Sequence, residues 1–120
     1  MNKKTLVLGA SLKPERYSNF AINNLVDKKH EVLAIGNKAG TVRNIPVSTE
    51  LINAHNIDTV TLYLNPENQK PYYDYILSLH PRRIIFNPGT ENEELEQLAQ
   101  KAGIEVVEAC TLVMLRTGVF

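Results

Sequence analysis

The chain lacks most of the features that would announce a function through composition. It has no tryptophan and a single cysteine, Cys110, which excludes an internal disulfide and any cysteine-rich metal cluster. Charge of either sign is not in surplus, because thirteen basic and thirteen acidic residues cancel. No global field therefore draws the molecule to nucleic acid or to an anionic membrane, and an anion site must be built locally. Apolar runs are short: none approaches the roughly 20 residues of a membrane span. The run after Met1-Asn2-Lys3-Lys4 is too brief for a signal peptide. Repeats, low-complexity tracts and linkers are missing too. These absences lead us to expect a cytoplasmic protein with one domain over residues 1–120, without nucleic-acid or membrane partners.

What remains is ordinary globular material, 43% hydrophobic and 22% charged over 120 residues, enough for a real core. Thr5–Leu8 reads as a buried strand. Ser18 is placed as the N-cap of a helix whose apolar face is Ala21, Ile22, Leu25 and Val26. Glu31–Ile35 is a second strand, followed by the turn Gly36-Asn37-Lys38-Ala39-Gly40. Thr41–Asn44 pairs weakly, Ile45-Pro46-Val47 is a short edge strand, and Ser48–His55 is a short helix. Thr59–Leu64 is the clearest strand, rich in β-branched residues.

A helix from about Asn68 to Leu79 follows, with Pro71 in its first turn. Arg83–Phe86 is the next strand, closed by the turn Asn87-Pro88-Gly89. Thr90-Glu91-Asn92-Glu93 matches a capping box with Thr90 as N-cap. It opens a helix with Leu95, Leu98, Ala99 and Ala102 on its buried face and Gly103 as its stop. Ile104–Val107 is the last strand, and Cys110–Leu115 a closing turn or two. The alternation predicts a three-layer Rossmann-like α/β fold with a mostly parallel sheet of five or six strands. Its ligand crevice lies beyond the carboxyl ends of the strands, where the chain reverses between the first strand and Thr59–Leu64. Gly9–Ser18, Gly36–Gly40 and Asn65-Pro66 are expected there.

The stretch Gly9–Ser18 carries the chemistry. Gly9 permits a tight turn, Ala10 and Ser11 offer N–H donors to a phosphate, and the Ser11 and Ser18 hydroxyls add donors. Arg16 suits a bidentate phosphate contact and Lys13 a less directional one, and a helix N-terminus adds positive potential. The dinucleotide fingerprint G-x-G-x-x-G fails, since Ser11 and Pro14 stand where glycines belong. Gly36-Asn37-Lys38 ends the second strand where NAD recognition needs an acid. A lysine there suits a phosphorylated ribose, as in NADP or coenzyme A, with Asn37 and Lys38 on the adenosine side. Cys110 reads as a buried inert thiol. His30, His55 and His80 sit apart at helix ends, and Glu91, Glu93, Glu94 and Glu96 form a solvated first helical turn.

Gly9-Ala10-Ser11-Leu12-Lys13-Pro14-Glu15-Arg16-Tyr17-Ser18 closely resembles the opening of the small stand-alone CoA-binding-domain proteins. These are similar in fold to the CoA-binding domain of the succinyl-CoA synthetase alpha subunit. The likeness continues through Ile45-Pro46-Val47, Ile57-Asp58-Thr59-Val60, Asn87-Pro88-Gly89 and Gly103-Ile104-Glu105-Val106-Val107. It implies binding of a small nucleotide cofactor, coenzyme A or an acyl-CoA, with the first loop on the phosphates. Loops after later strands would contact the adenosine and pantetheine. The resemblance implies a non-catalytic binding or regulatory module. The expected contacts are Gly9, Ala10, Ser11, Lys13, Arg16, Tyr17, Ser18, Gly36, Asn37, Lys38, Asn65 and Pro66, with no metal. Two turns depart from the family pattern: Gly36–Gly40 replaces an Asn-Pro-like turn, and Asn87-Pro88-Gly89 replaces Gln-x-Gly. The alternatives are a small NADP- or nucleotide-dependent enzyme, or an interaction module on a degenerate nucleotide fold.

Overall fold

Seven strands, two more than the lower expectation and one more than the upper, form the sheet of the computed structural model, which describes residues 2–120. In chain order they are β1 (Thr5–Ala10), β2 (Val32–Gly36), β3 (Gly40–Val42), β4 (Ile45–Ser48), β5 (Thr59–Leu62), β6 (Arg83–Phe86) and β7 (Glu105–Glu108). Their spatial order is β3-β4-β2-β1-β5-β6-β7. All neighbouring pairs are parallel except β3 with β4. The central position of β1 and the reversal between it and β5 agree with the sequence pattern.

The extra strand is a hairpin effect. Val42 pairs with Ile45, so only Arg43 and Asn44 connect β3 to β4, and both have positive φ, 51° and 65°. Positive φ at both central positions defines the type I′ turn, whose twist matches that of the flanking strands. Asparagine tolerates that conformation well, and Arg43 is held in it by the Asp27 carboxylate at 2.9 Å. The hairpin places β4 inside the sheet and leaves β3 at the edge, so Ile45-Pro46-Val47 is not an edge strand. Pro46 is accommodated opposite Thr41.

The helices are α1 (Tyr17–Asp27), α2 (Pro66–Gln69), α3 (Tyr73–Ser78), α4 (Glu93–Lys101) and α5 (Thr111–Thr117), with a 3₁₀ turn at Lys70–Tyr72. Five sequence expectations are corrected here. Arg16, in extended conformation, is the N-cap of α1, and Ser18 lies inside the helix and buried. Helical structure starts at Pro66 rather than Asn68, so Pro71, expected in the first turn, falls beyond that turn. It lacks an N–H donor, and the chain forms α2, the 3₁₀ turn and α3 in its place. Asn92 caps α4 by accepting from Leu95 N at 3.2 Å, whereas the Thr90 hydroxyl donates to the Asn87 carbonyl at 2.7 Å. On α4 only Leu95 and Ala99 are buried, and Leu98 and Ala102, expected on that face, are exposed.

The fifth correction concerns Ser48–His55, which is not helical: Ser48 ends β4 and residues 51–55 are irregular. This segment must cross from β4 over β2 and β1 to β5, about 14 Å sideways at ~4.8 Å per strand, and also return the length of a strand. Eight helical residues advance only about 12 Å. An extended path reaches further, anchored by buried Ile57 and by the Tyr75 hydroxyl donating to the Ile52 carbonyl at 2.7 Å.

Two cores sandwich the sheet. One joins Leu6, Leu8, Val60, Leu62, Ile84 and Phe86 to Ile76, Leu95 and Ala99 of the helices on that side. The other joins Val7, Ala10, Ala34 and Val47 to Ile22, Leu25 and Leu115. Strict alternation would put Ala10 on the same face as Leu6 and Leu8. A register shift between Leu8 and Ala10, with Gly9 at φ 97°, moves it to the other face. That bulge starts the loop leading to α1.

At the amino end of the sheet, His30 accepts a hydrogen bond from Lys3 N at 2.9 Å and packs edge-on against Phe120. Arg83 lies on the same ring at 4.4 Å. Burial, reinforced by the positive charges of Lys3 and Arg83, lowers the pKa of His30. Folding therefore prefers the neutral ring, and stability is complete above the unfolded value near 6.5. It declines as the pH falls from about 6.5 towards the lower folded value. Thermal denaturation across about pH 5 to 7 should show this loss, and His30→Gln should remove that part of the slope.

Candidate functional site

Parallel strands all point their carboxyl ends the same way, so the loops after β1, β2, β5 and β6 gather at one edge of the sheet. They enclose a cleft of about 910 Å³. Its floor is the bulge at Gly9 and Ala10, facing Gly36 across the β1–β2 ladder. The backbones are very close here: a Cβ on Gly36 would lie 2.2 Å from the Ala10 carbonyl oxygen. A Cβ on Gly9 would lie 2.9 Å from the Tyr63 backbone carbon. The tight approach leaves the loop backbone, rather than side chains, at the head of the cleft.

The near wall is the loop from Ser11 to Arg16 and the start of α1. Ser11 accepts a hydrogen bond from Lys13 N at 3.1 Å, and its carbonyl accepts from the Asn19 side chain at 2.9 Å. The buried Asn19 thus pins the loop to the helix. The N-terminus of α1 has no side-chain cap and no acidic residue in its first turn. Its leading N–H groups therefore keep their donor capacity and partial positive charge.

The electrostatics of the lining are one-sided. Lys13, Arg16 and Lys38 line the cleft, and no Asp or Glu lines it. Among the described residues, the ion pairs are Lys4–Glu31, Arg43–Asp27 and Lys70–Glu67; none uses those three cations. In a chain of zero formal net charge, this is a local concentration of positive charge without compensation.

The far wall is formed by Tyr63, Leu64, Asn65, Asn68 and Tyr72 after β5, with Pro88, Gly89 and Thr90 after β6. Asn65 caps α2 by accepting from Asn68 N at 2.9 Å. The Tyr63 hydroxyl is buried without a hydrogen-bond partner among the described residues, beside the Thr61 and Thr111 hydroxyls, which bond each other at 2.8 Å. Burial pushes its pKa up to about 12, the nearby threonines offsetting only part of the effect. That phenol stays protonated and neutral at physiological pH.

Of the twelve contact residues expected from sequence, eleven line this one cleft: Gly9, Ala10, Ser11, Lys13, Arg16, Tyr17, Ser18, Gly36, Asn37, Lys38 and Asn65. Pro66 does not line it, since it begins α2 and is turned into that helix. The expected contacts omitted Leu12, Pro14, Ile35, Tyr63, Leu64, Asn68, Tyr72 and Thr90. The turn Pro88-Gly89, expected to close the Arg83–Phe86 strand but not among the expected contacts, also proves to be part of the wall. The usable signal was the turn after β6, which a parallel sheet brings to the same edge as the turn after β1. Cys110 and the three histidines do not line the cleft. Among the described residues no group of His, Cys, Asp and Glu could hold a metal ion, and no helix is long and apolar enough to cross a membrane.

Comparison with known proteins gives a concordant picture. The family model described as "CoA binding domain" matches residues 3–116. None of the curated proteins matches the chain. A crystal structure described as that of an uncharacterized protein is 50% identical, covers 100% of this chain and 99% of its own, and superposes with a TM-score of 0.97. A protein of known structure from Thermus thermophilus is 21% identical over 99% of this chain and 91% of its own, with a TM-score of 0.85. The dinucleotide-forming acetyl-coenzyme A synthetase 1 of Ca. Korarchaeum cryptofilum is similar in fold, with a TM-score of 0.69. It is 18% identical, over 90% of this chain and 26% of that much longer one.

Proposed function

Because this chain belongs to the CoA binding domain family, we propose that its cleft holds coenzyme A or an acyl-CoA and that the protein acts as a binding or regulatory module. The observation that carries the reading is the cleft's one-sided charge, three cations with no lining carboxylate and no ion-pair partner among the described residues. An anion of several charges is the ligand such a lining favours. A volume of about 910 Å³ lies at the upper end of the ~300–1,000 Å³ common for small-molecule sites. It suits a long cofactor better than a simple anion.

Each wall then has a part. The uncapped N-terminus of α1 and the loop N–H groups from Ala10 onward would hold the diphosphate, as helix N-termini hold phosphates elsewhere. Arg16 would bind two phosphate oxygens at once, and Lys13 would act as a less directional charge. Asn37 and Lys38, at the end of β2, would face the adenosine and its extra ribose phosphate. Tyr17 and Ser18 complete that side, and Asn65 begins the opposite one. Leu64, Tyr72 and Pro88 offer the uncharged pantetheine arm an apolar path along the far wall. The lining has no carboxylate, imidazole or thiol, the side chains most often used as general acid, base or nucleophile. That supports binding without catalysis.

Calorimetric titration with CoA, dephospho-CoA, NADP and NAD tests the reading. CoA should bind tightest, and dephospho-CoA should bind several-fold more weakly through loss of the contact to Lys38. Silence towards CoA together with clear binding of NADP would replace this reading by the dinucleotide one.

A further inference from the structure

We infer that Gln69 is a positioning residue that fixes the far wall of the cleft before ligand arrives, an inference that rests on the coenzyme A reading. Gln69 is fully buried, although glutamine is ordinarily a surface residue. Every polar atom of its side chain is used. Nε2 donates to the Leu64 carbonyl and to the Thr90 carbonyl, each at 2.8 Å. Oε1 accepts from the Asn92 side chain at 2.8 Å.

The two carbonyls belong to the loops after β5 and after β6, and both residues line the cleft. The β5–β6 ladder ends at Leu62 and Phe86. Beyond it, no backbone hydrogen bond joins these loops among the described residues. The Asn87 side chain ties the start of the loop after β6 to the Leu62 carbonyl at 2.8 Å, and further out the planar Gln69 amide, with its two N–H bonds splayed at a fixed angle, spans the gap and sets the spacing at the cleft. Asn92 extends the strut, since it caps α4 and donates to the Tyr73 hydroxyl at 2.8 Å. The far wall is thus referenced to a helix terminus on each side. A wall ordered in advance spares the ligand the entropy of ordering it, which is how preorganisation raises affinity.

The near wall, made by the loop after β1 and by Asn37 and Lys38, has its own anchors in Asn19 and in the Gly36–Ala10 contact. Loss of the strut should therefore act on the pantetheine end alone. Gln69→Met keeps the length and removes every bond. Its affinity for CoA should fall about tenfold, the equivalent of about 1.4 kcal/mol. Its affinity for adenosine 3′,5′-bisphosphate, which lacks the arm, should stay within about twofold of wild type. General destabilisation would not separate the two ligands in this way.

A second measurement needs no variant. In the NMR spectrum of the free wild-type protein, the Gln69 side-chain N–H₂ protons should exchange slowly with solvent. Wild-type protein that ignores CoA overturns the ligand reading and this inference with it. If wild type binds CoA, equal losses for both ligands in Gln69→Met, or no loss for either, overturn the inference alone. So do Gln69 side-chain protons that exchange at the rate of a free amide.

Discussion

Replacing Lys13, Arg16 and Lys38 together by alanine should lower the affinity for coenzyme A by about a hundredfold or more while leaving the free protein folded. The magnitude follows from two charge-assisted phosphate contacts and one longer-range charge, each worth roughly 1 kcal/mol or more at a partly exposed site. The three side chains take part in no ion pair among the described residues, so their removal breaks nothing in the fold. Relief of like-charge repulsion should leave the melting temperature unchanged or slightly higher. Salt provides an internal check. Raising the ionic strength should weaken wild-type binding steeply, and the triple variant should respond far less. Calorimetry at two salt concentrations measures both effects. A variant retaining wild-type affinity would show that the phosphates lie elsewhere.

The second large effect is on the fold. In Gly36→Ala the new Cβ would sit 2.2 Å from the Ala10 carbonyl oxygen and 3.1 Å from Val47 Cγ1. Its nearest obstacle is backbone in the central strand, which cannot swing aside as a flexible side-chain tip would. The only relief is to part β1 from β2 at their carboxyl ends, breaking the Ala10–Gly36 register. Overpacking of this kind costs about 3 kcal/mol or more, which for a domain of this size lowers the melting temperature by more than about 10 °C. Gly103→Ala is the natural control. Gly103 has φ 79° and open space around the site, so only backbone strain is added, about 1 kcal/mol. Urea denaturation of both variants should give a several-fold larger loss for Gly36. Equal losses would mean that the close approach at the floor of the cleft is not rigid.

The near wall and the floor were legible in the chain itself. An apolar strand, a glycine, two hydroxyls, two cations and a helix start follow one another within Thr5–Ser18, and local order sufficed to bring them together. The far wall was not legible in that way. Tyr63, Tyr72 and Thr90 share a cleft with the loop after β1 only because β5 and then β6 follow β1 in a parallel sheet. That is a fact of topology and is carried by no short motif. Cap positions failed for a different reason. Thr90 and Asn92 both obey N-cap chemistry, and Asn92 wins because the Thr90 hydroxyl is already bound to Asn87. Ser18 lost its capping role to the extended backbone of Arg16. The segment after β4 failed through distance, since the crossover it must make is longer than a helix of its length.

Coenzyme A titrated into ¹⁵N-labelled protein, followed amide by amide, tests both whether the ligand binds and where. The account predicts shifts concentrated at Gly9–Ser18, Gly36–Lys38, Tyr63–Asn65 and Gly89–Thr90, with Lys3, His30 and Arg83 at the amino end of the sheet unmoved. An unchanged spectrum, or shifts gathered around His30 and Arg83, would contradict it.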